Sequence, residues 1–156
     1  MLKGIDSLLS PELLKVLCEM GHGDEVVVAD ANFTAETLGH DKQLIRLPGI
    51  SLHRACQAVL SVFPLDAAIS QPVAYMKVCD TPAGYASALQ QAVIGLLAET
   101  GSADPAQCEA VERFAFYERV KQAYAIVQTG EMQPYANFIF QKKGSSLKLW
   151  HNSRLC

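Results

Sequence analysis

Apolar residues recur at helical spacing early in the chain: Leu13, Leu14, Val16, Leu17 and Met20 follow Ser10 and Pro11 and stop at Gly21. A serine ahead of a helix accepts a backbone N–H that the first turn leaves unpaired, proline suits the first helical turn and glycine suits a helix end. The spacing therefore predicts a helix that delivers His22, set between Gly21 and Gly23, to a turn. Val26-Val27-Val28-Ala29 comes next, a continuous β-branched and small apolar run bounded by turn-type sequence. It predicts a short buried strand over residues 25–30 with Asp30 at its exit. A second strand over 43–47 is stopped by Pro48-Gly49, and an apolar-faced helix over 51–63 is stopped by Pro64.

Further along, 73–79 suits a strand, and 82–99 a helix whose apolar stripe is Tyr85, Leu89, Val93, Leu96 and Leu97. Gly101-Ser102-Ala103-Asp104-Pro105 marks a surface loop. Residues 110–114 alternate like a short strand, 115–122 read as a helix, and 124–129 and 136–142 as the last two strands, joined through Gly130-Glu131 and Pro134. Strand and helix signals in this alternation predict an α/β fold, a single-domain sheet covered by helices.

The chain has 156 residues, half of them hydrophobic, so one core can bury roughly two thirds of the unfolded surface. Its net charge is -3 and no basic cluster exceeds Lys142-Lys143, which leaves no electrostatic footprint for nucleic acid. No run of ~18 apolar residues supports a membrane span, and Asp6 and Pro11 break the N-terminal apolar residues before a secretion signal can build. The cysteines, Cys18, Cys56, Cys79, Cys108 and Cys156, are odd in number and never form Cys-x-x-Cys, a pattern that suits a reducing cytoplasm. Cys18, Cys56 and Cys79 are expected as small core residues and Cys156 as an exposed thiol. The histidines are scattered without the spacing of a structural zinc site.

What remains is a small polar set inside apolar sequence: His22, Asp30, Arg113, Tyr135 and Asn137. A histidine between two glycines has a backbone free for close approach, and an imidazole exchanges protons near neutrality. With an aspartate at a strand end, it suits proton transfer on a small polyol. By residue type alone each has an ordinary alternative: a surface loop for His22, a loop cap for Asp30, an exposed strand-edge charge for Arg113, and polar residues after a Pro134 turn for Tyr135 and Asn137. If 136–142 is a strand, Tyr135 and Asn137, two apart, share a face.

Three segments occur in one order: Ser10 to Glu25 with its Gly21-His22-Gly23-Asp24 centre, Arg113-Phe114-Ala115-Phe116-Tyr117-Glu118-Arg119, and Tyr135-Ala136-Asn137. Together they resemble the fucose mutarotase branch of the ribose pyranase/fucose mutarotase family. The resemblance covers about residues 1–144, a single mutarotase-like domain, and leaves 145–156 as an unmatched tail. It implies interconversion of the α and β anomers of L-fucose without metal or nucleotide cofactor. It makes His22 the proton donor and Asp30, Arg113, Tyr135, Ala136 and Asn137 sugar ligands; arginine at 113, where the ribose branch tends to carry histidine, favours fucose. It also implies a closed homo-oligomeric ring, a decamer being the leading number. Ribose pyranase activity, or a non-catalytic monosaccharide-binding regulatory module, are the alternatives. A straight strand over 25–30 separates its ends by roughly 16 Å. His22 and Asp30 therefore meet one sugar only if the glycine-flanked loop folds back or if neighbouring subunits each contribute one residue. The group opposing His22 as base stays open between a carboxylate, a tyrosine and water.

Overall fold

The computed structural model describes residues 2–66 and 68–144, and in it one sheet is built from β1 (Glu25–Ala29), β2 (Gln43–Leu47), β3 (Val73–Met76), β4 (Cys108–Val111), β5 (Ala125–Thr129) and β6 (Phe138–Gln141). The order across the sheet is β2-β5-β1-β6-β3-β4. β1 pairs parallel with β5, β5 with β2 and β3 with β4, while β6 lies antiparallel between β1 and β3. All strands except β6 thus point the same way, and their carboxyl ends share one edge with the beginning of β6.

Alternation along each strand divides the core between the two faces. Val26, Val28, Phe138 and Phe140 pack with α1 (Pro11–Glu19), α3 (Leu52–Leu60) and α4 (Ala88–Glu99). Val27, Ala29, Ile126 and Ile139 pack with α2 (Ala35–Leu38) and α5 (Arg113–Gln122). Phe138 and Phe140 are wholly buried and stacked at 6.0 Å, each contributing about 1.5–3 kcal/mol by leaving water. The expected α/β sheet covered by helices is the observed architecture. Among the described residues no helix is long and apolar enough to cross a membrane.

The N-terminal elements follow the sequence reading: Ser10 Oγ accepts the N–H of Leu13 and Pro11 opens α1. Elsewhere local chemistry moves the boundaries. The helix expected over 82–99 starts at Ala88, because Ser87 and Gln90 form a reciprocal capping box, and Tyr85 lies exposed in the preceding loop instead of on an apolar stripe. The strand expected over 110–114 is β4, ending at Val111, since the Glu112 carboxylate accepts the N–H groups of Phe114 and Ala115 and starts α5 there. Arg113 is therefore a first-turn helix residue and not a strand-edge one. β3 ends at Met76, short of Cys79, and β6 begins at Phe138. The short α2, unanticipated in the sequence, packs Ala35 beneath the β1 exit. Cys56 is buried as expected, but Cys18 and Cys79 are exposed. Cys156 and the rest of the 145–156 tail lie outside the described residues.

Candidate functional site

At the carboxyl edge, Asp30 leaves β1 with 6% of its surface exposed, beside Asn137 with 2%. The two hold each other twice: the Asp30 backbone N–H donates to Asn137 Oδ1 at 2.9 Å, and Asn137 Nδ2 donates to Asp30 Oδ2 at 3.0 Å. Asp30 Oδ1 accepts the N–H of Asn32 at 3.0 Å. Burial pushes the Asp30 carboxyl above the usual aspartate range, against the Asn137 amide and the nearby backbone N–H groups of Asn32, Phe33 and Ala136. Such a carboxylate gains from any further hydrogen-bond donor.

Tyr135 precedes β6 at φ 61°, a left-handed conformation that costs a non-glycine residue about 1–2 kcal/mol, so surrounding contacts must hold it. The period-two argument for a shared strand face does not apply to it; Tyr135 nonetheless packs against the α2/α5 core, on which Asn137 touches Met76 Sδ at 3.8 Å. The Cys79 thiol beside the Tyr135 hydroxyl pushes the phenol above its ordinary range, and the Arg113 charge pulls the other way. Arg113 lays its guanidinium 4.7 Å from the Phe114 ring centre, and its Nε is buried without a hydrogen-bond partner. Lys77, Val78, Cys79, Asp80, Glu112 and Arg113 line an adjoining cavity of about 190 Å³. An unpaired donor beside a cavity is a place for a ligand oxygen.

His22 lies at the opposite edge. The β1/β6 register runs from Glu25 opposite Gln141 to Val28 opposite Phe138, which places the His22 loop beyond the end of β6 and Asp30 before its start. The loop is tied there: Gly23 N–H donates to Lys142 O, Gly21 N–H to Asp24 Oδ2, and Lys142 Nζ donates to the Leu17 and Met20 carbonyls at the end of α1. It does not fold back along the strand. His22 Nε2 is 2.9 Å from Asp66 Oδ2; the imidazole is 68% exposed and the carboxylate only 3%. Asp66 Oδ1 accepts the N–H of Ala68 and its own N–H donates to Gln141 O, so the acid is rigidly placed. A carboxylate only accepts, so Nε2 carries the proton toward Asp66 and Nδ1 is left to exchange one. Gly144 makes room for the ring, since a β-carbon there would lie 2.7 Å from the His22 Cγ.

The fold thus brings Asp30, Arg113, Tyr135, Ala136 and Asn137 to one edge and leaves His22 at the other. Asp66 and Gln90 escaped the sequence reading. Asp66 follows a helix stop in Phe63-Pro64-Leu65-Asp66, where nothing marks it as a partner of a residue 44 positions earlier. Gln90 does complete a Ser-x-x-Gln capping pattern, a signal that could have placed the start of α4. Among the described residues no group of His, Cys, Asp and Glu side chains is arranged to hold a metal ion.

The model of the RbsD/FucU transport protein family matches residues 3–144. The L-fucose mutarotase of Glaesserella parasuis serovar 5 is 44% identical over 142 residues, 91% of this chain and 94% of that protein. Among solved structures, FucU from Bifidobacterium longum superposes with a TM-score of 0.85 at 40% identity, over 92% of this chain and all of that one. The fucose mutarotase from Streptococcus pneumoniae in complex with L-fucose gives a TM-score of 0.81 at 36% identity, over 93% of this chain and all of that one. With most of its length matched by both sequence and fold, the chain belongs to the RbsD/FucU family.

Proposed function

We propose that this chain is a mutarotase that interconverts the α and β anomers of L-fucose. The observation that carries the reading is the reciprocal Asp30–Asn137 pair, buried at the sheet's carboxyl edge, the edge at which α5 also starts with the unpaired Arg113 Nε. It is a preformed set of acceptors and donors for vicinal hydroxyls in a place where open α/β sheets bind ligands. Relatives named L-fucose mutarotase, and the fold match to a fucose-bound mutarotase, supply the sugar and the reaction.

Ring opening needs the anomeric hydroxyl to lose its proton as C1 becomes an aldehyde and the ring oxygen to gain one as the C1–O bond breaks. Rotation about C1–C2 and reclosure on the other face reverse both transfers. His22 exchanges a proton through Nδ1 while Asp66 stabilises the imidazolium, and acid/base assistance of this kind contributes typically ~10²- to 10⁴-fold. Asp30, Asn137, Arg113, Tyr135 and the backbone at Ala136 orient the sugar.

Because His22 and Asp30 stand at opposite edges of one sheet, each site takes its His22–Asp66 pair from a neighbouring subunit. One heterologous contact, repeated until it closes, gives every subunit the same missing pair, so the protein works as a homo-oligomeric ring, with ten subunits the number the family resemblance favours. The four described cysteines, all free, support a cytoplasmic location.

Saturation-transfer NMR with a chelator present tests the function. L-fucose anomer exchange should exceed the solvent rate and exceed the acceleration of D-ribose and D-galactose. Equal or faster turnover of ribose would reassign the protein as a pyranase, and bound sugar exchanging at the solvent rate would make it a binding module.

A further inference from the structure

We propose that Gln90, wholly buried on α4, is a positioning residue that sets the sugar-binding geometry of Tyr135 and Asn137, an inference that rests on the mutarotase reading. The sheet-facing positions of α4 are otherwise apolar, Val93, Leu96 and Leu97, and an amide among them is tolerated only if its hydrogen bonds are made. Gln90 makes them across three elements. Its Oε1 accepts the N–H of Ser87 at 2.9 Å, closing the helix cap. Its Nε2 donates to Met76 O at 2.8 Å and to Tyr135 O at 2.9 Å. Capping α4 explains the oxygen alone; the two donated bonds do nothing for the helix.

Those bonds join the two backbone stretches that frame the site. Met76 is the last residue of β3, its N–H donates to Asn137 O at 3.1 Å, and its Sδ touches the Asn137 amide. Lys77 to Asp80, lining the cavity beside Arg113, continue directly from it. Tyr135 holds its left-handed conformation two residues before Asn137. One amide therefore spans the end of β3 and the approach to β6. Without it the buried Met76 carbonyl and the part-buried Tyr135 carbonyl lose their donor, and the strained Tyr135 backbone is free to relax, carrying Asn137 away from Asp30.

The test compares wild type, Gln90→Met, Gln90→Glu and Ser87→Ala in L-fucose anomer exchange. Gln90→Met removes both donated bonds at similar size. Gln90→Glu keeps the size and the cap acceptor and supplies at most one donor. Ser87→Ala weakens the same helix cap and leaves both carbonyl bonds in place. Both Gln90 variants should raise KM by about tenfold or more with kcat within about threefold, because the His22 edge is untouched. Ser87→Ala should hold KM within about twofold. A KM increase as large in Ser87→Ala, a wild-type KM in the Gln90 variants, or a loss confined to kcat would overturn the proposal. Should Gln90→Met not fold, Gln90→Glu decides; failure of both to fold would assign Gln90 to the core alone and overturn it too. If the wild type shows no exchange, the mutarotase reading fails by itself, and the variants are then compared by L-fucose Kd, where the same weakening is expected.

Discussion

The two ends of the sheet solve different problems with the same residue types. At the carboxyl edge the aspartate is buried and held twice by Asn137, and the chain around it is locked by a buried amide, down to a left-handed tyrosine. At the amino edge a buried aspartate holds a single exposed histidine, and its loop is tied by backbone bonds and the Lys142 ammonium. Groups that orient many hydroxyls need preorganisation, because every donor left unpaired at binding costs affinity. A group that moves one proton needs an oriented ring with an open nitrogen. The carboxyl edge carries the preorganised donors and acceptors of the proposed binding surface, and the amino edge the outward-facing imidazole of the proposed proton donor.

If the division is right, substitutions at the two edges fail in different ways. His22→Ala should lower kcat by about 10²-fold or more with KM changed by less than about threefold, and Asp66→Asn should follow the same pattern with a smaller loss, on the order of tenfold. Asn137→Ala should instead raise KM by about tenfold to a hundredfold, having stripped a buried carboxylate of its partner. A His22→Ala protein whose loss lies in KM would erase the distinction.

A smaller effect sharpens the geometry. His22→Ala and Asn137→Ala chains, dissociated and reassembled together, should recover a part of the wild-type exchange, since some sites then receive an intact histidine from one chain and an intact asparagine from the other. A fully active monomer by light scattering would place both edges in one site, in conflict with the sheet register.

The smallest effect is a pH dependence with opposite signs at one residue. Burial raises the Asp30 carboxyl, so the folded protein holds that proton more tightly than the unfolded chain. Its contribution to stability is then present at low pH and lost as pH rises through the raised value. Binding runs the other way, because the carboxylate is the better acceptor. As pH falls through a window above the ordinary aspartate range, KM for L-fucose should climb while the Tm of the sugar-free protein gains relative to Asp30→Asn. A KM flat across that window would remove Asp30 from the sugar contacts.

The sequence by itself determined the class of the fold and named the candidate site residues. Hydrophobic period and cap residues are local signals: Ser10, Pro11 and Gly21 bound α1, and the valine run at 26–28 could pack only as a buried strand. His22, Arg113, Tyr135 and Asn137 became candidates because three short segments keep the family's order, and Asp30 because it closes the apolar run 26–29. The errors at Tyr85 and Arg113 were also local, where side-chain caps from Ser87 and Glu112 overrode the apolar pattern. Only the tertiary structure decided which of these residues meet. Asp66 reaches His22 across 44 positions, Asn137 reaches Asp30 across 107 and Gln90 reaches Tyr135 across 45, separations over which no periodicity carries information. Strand direction decided the rest: β6 runs against its neighbours, so the strand that ends near the histidine begins next to Tyr135, Ala136 and Asn137, a sheet's length away.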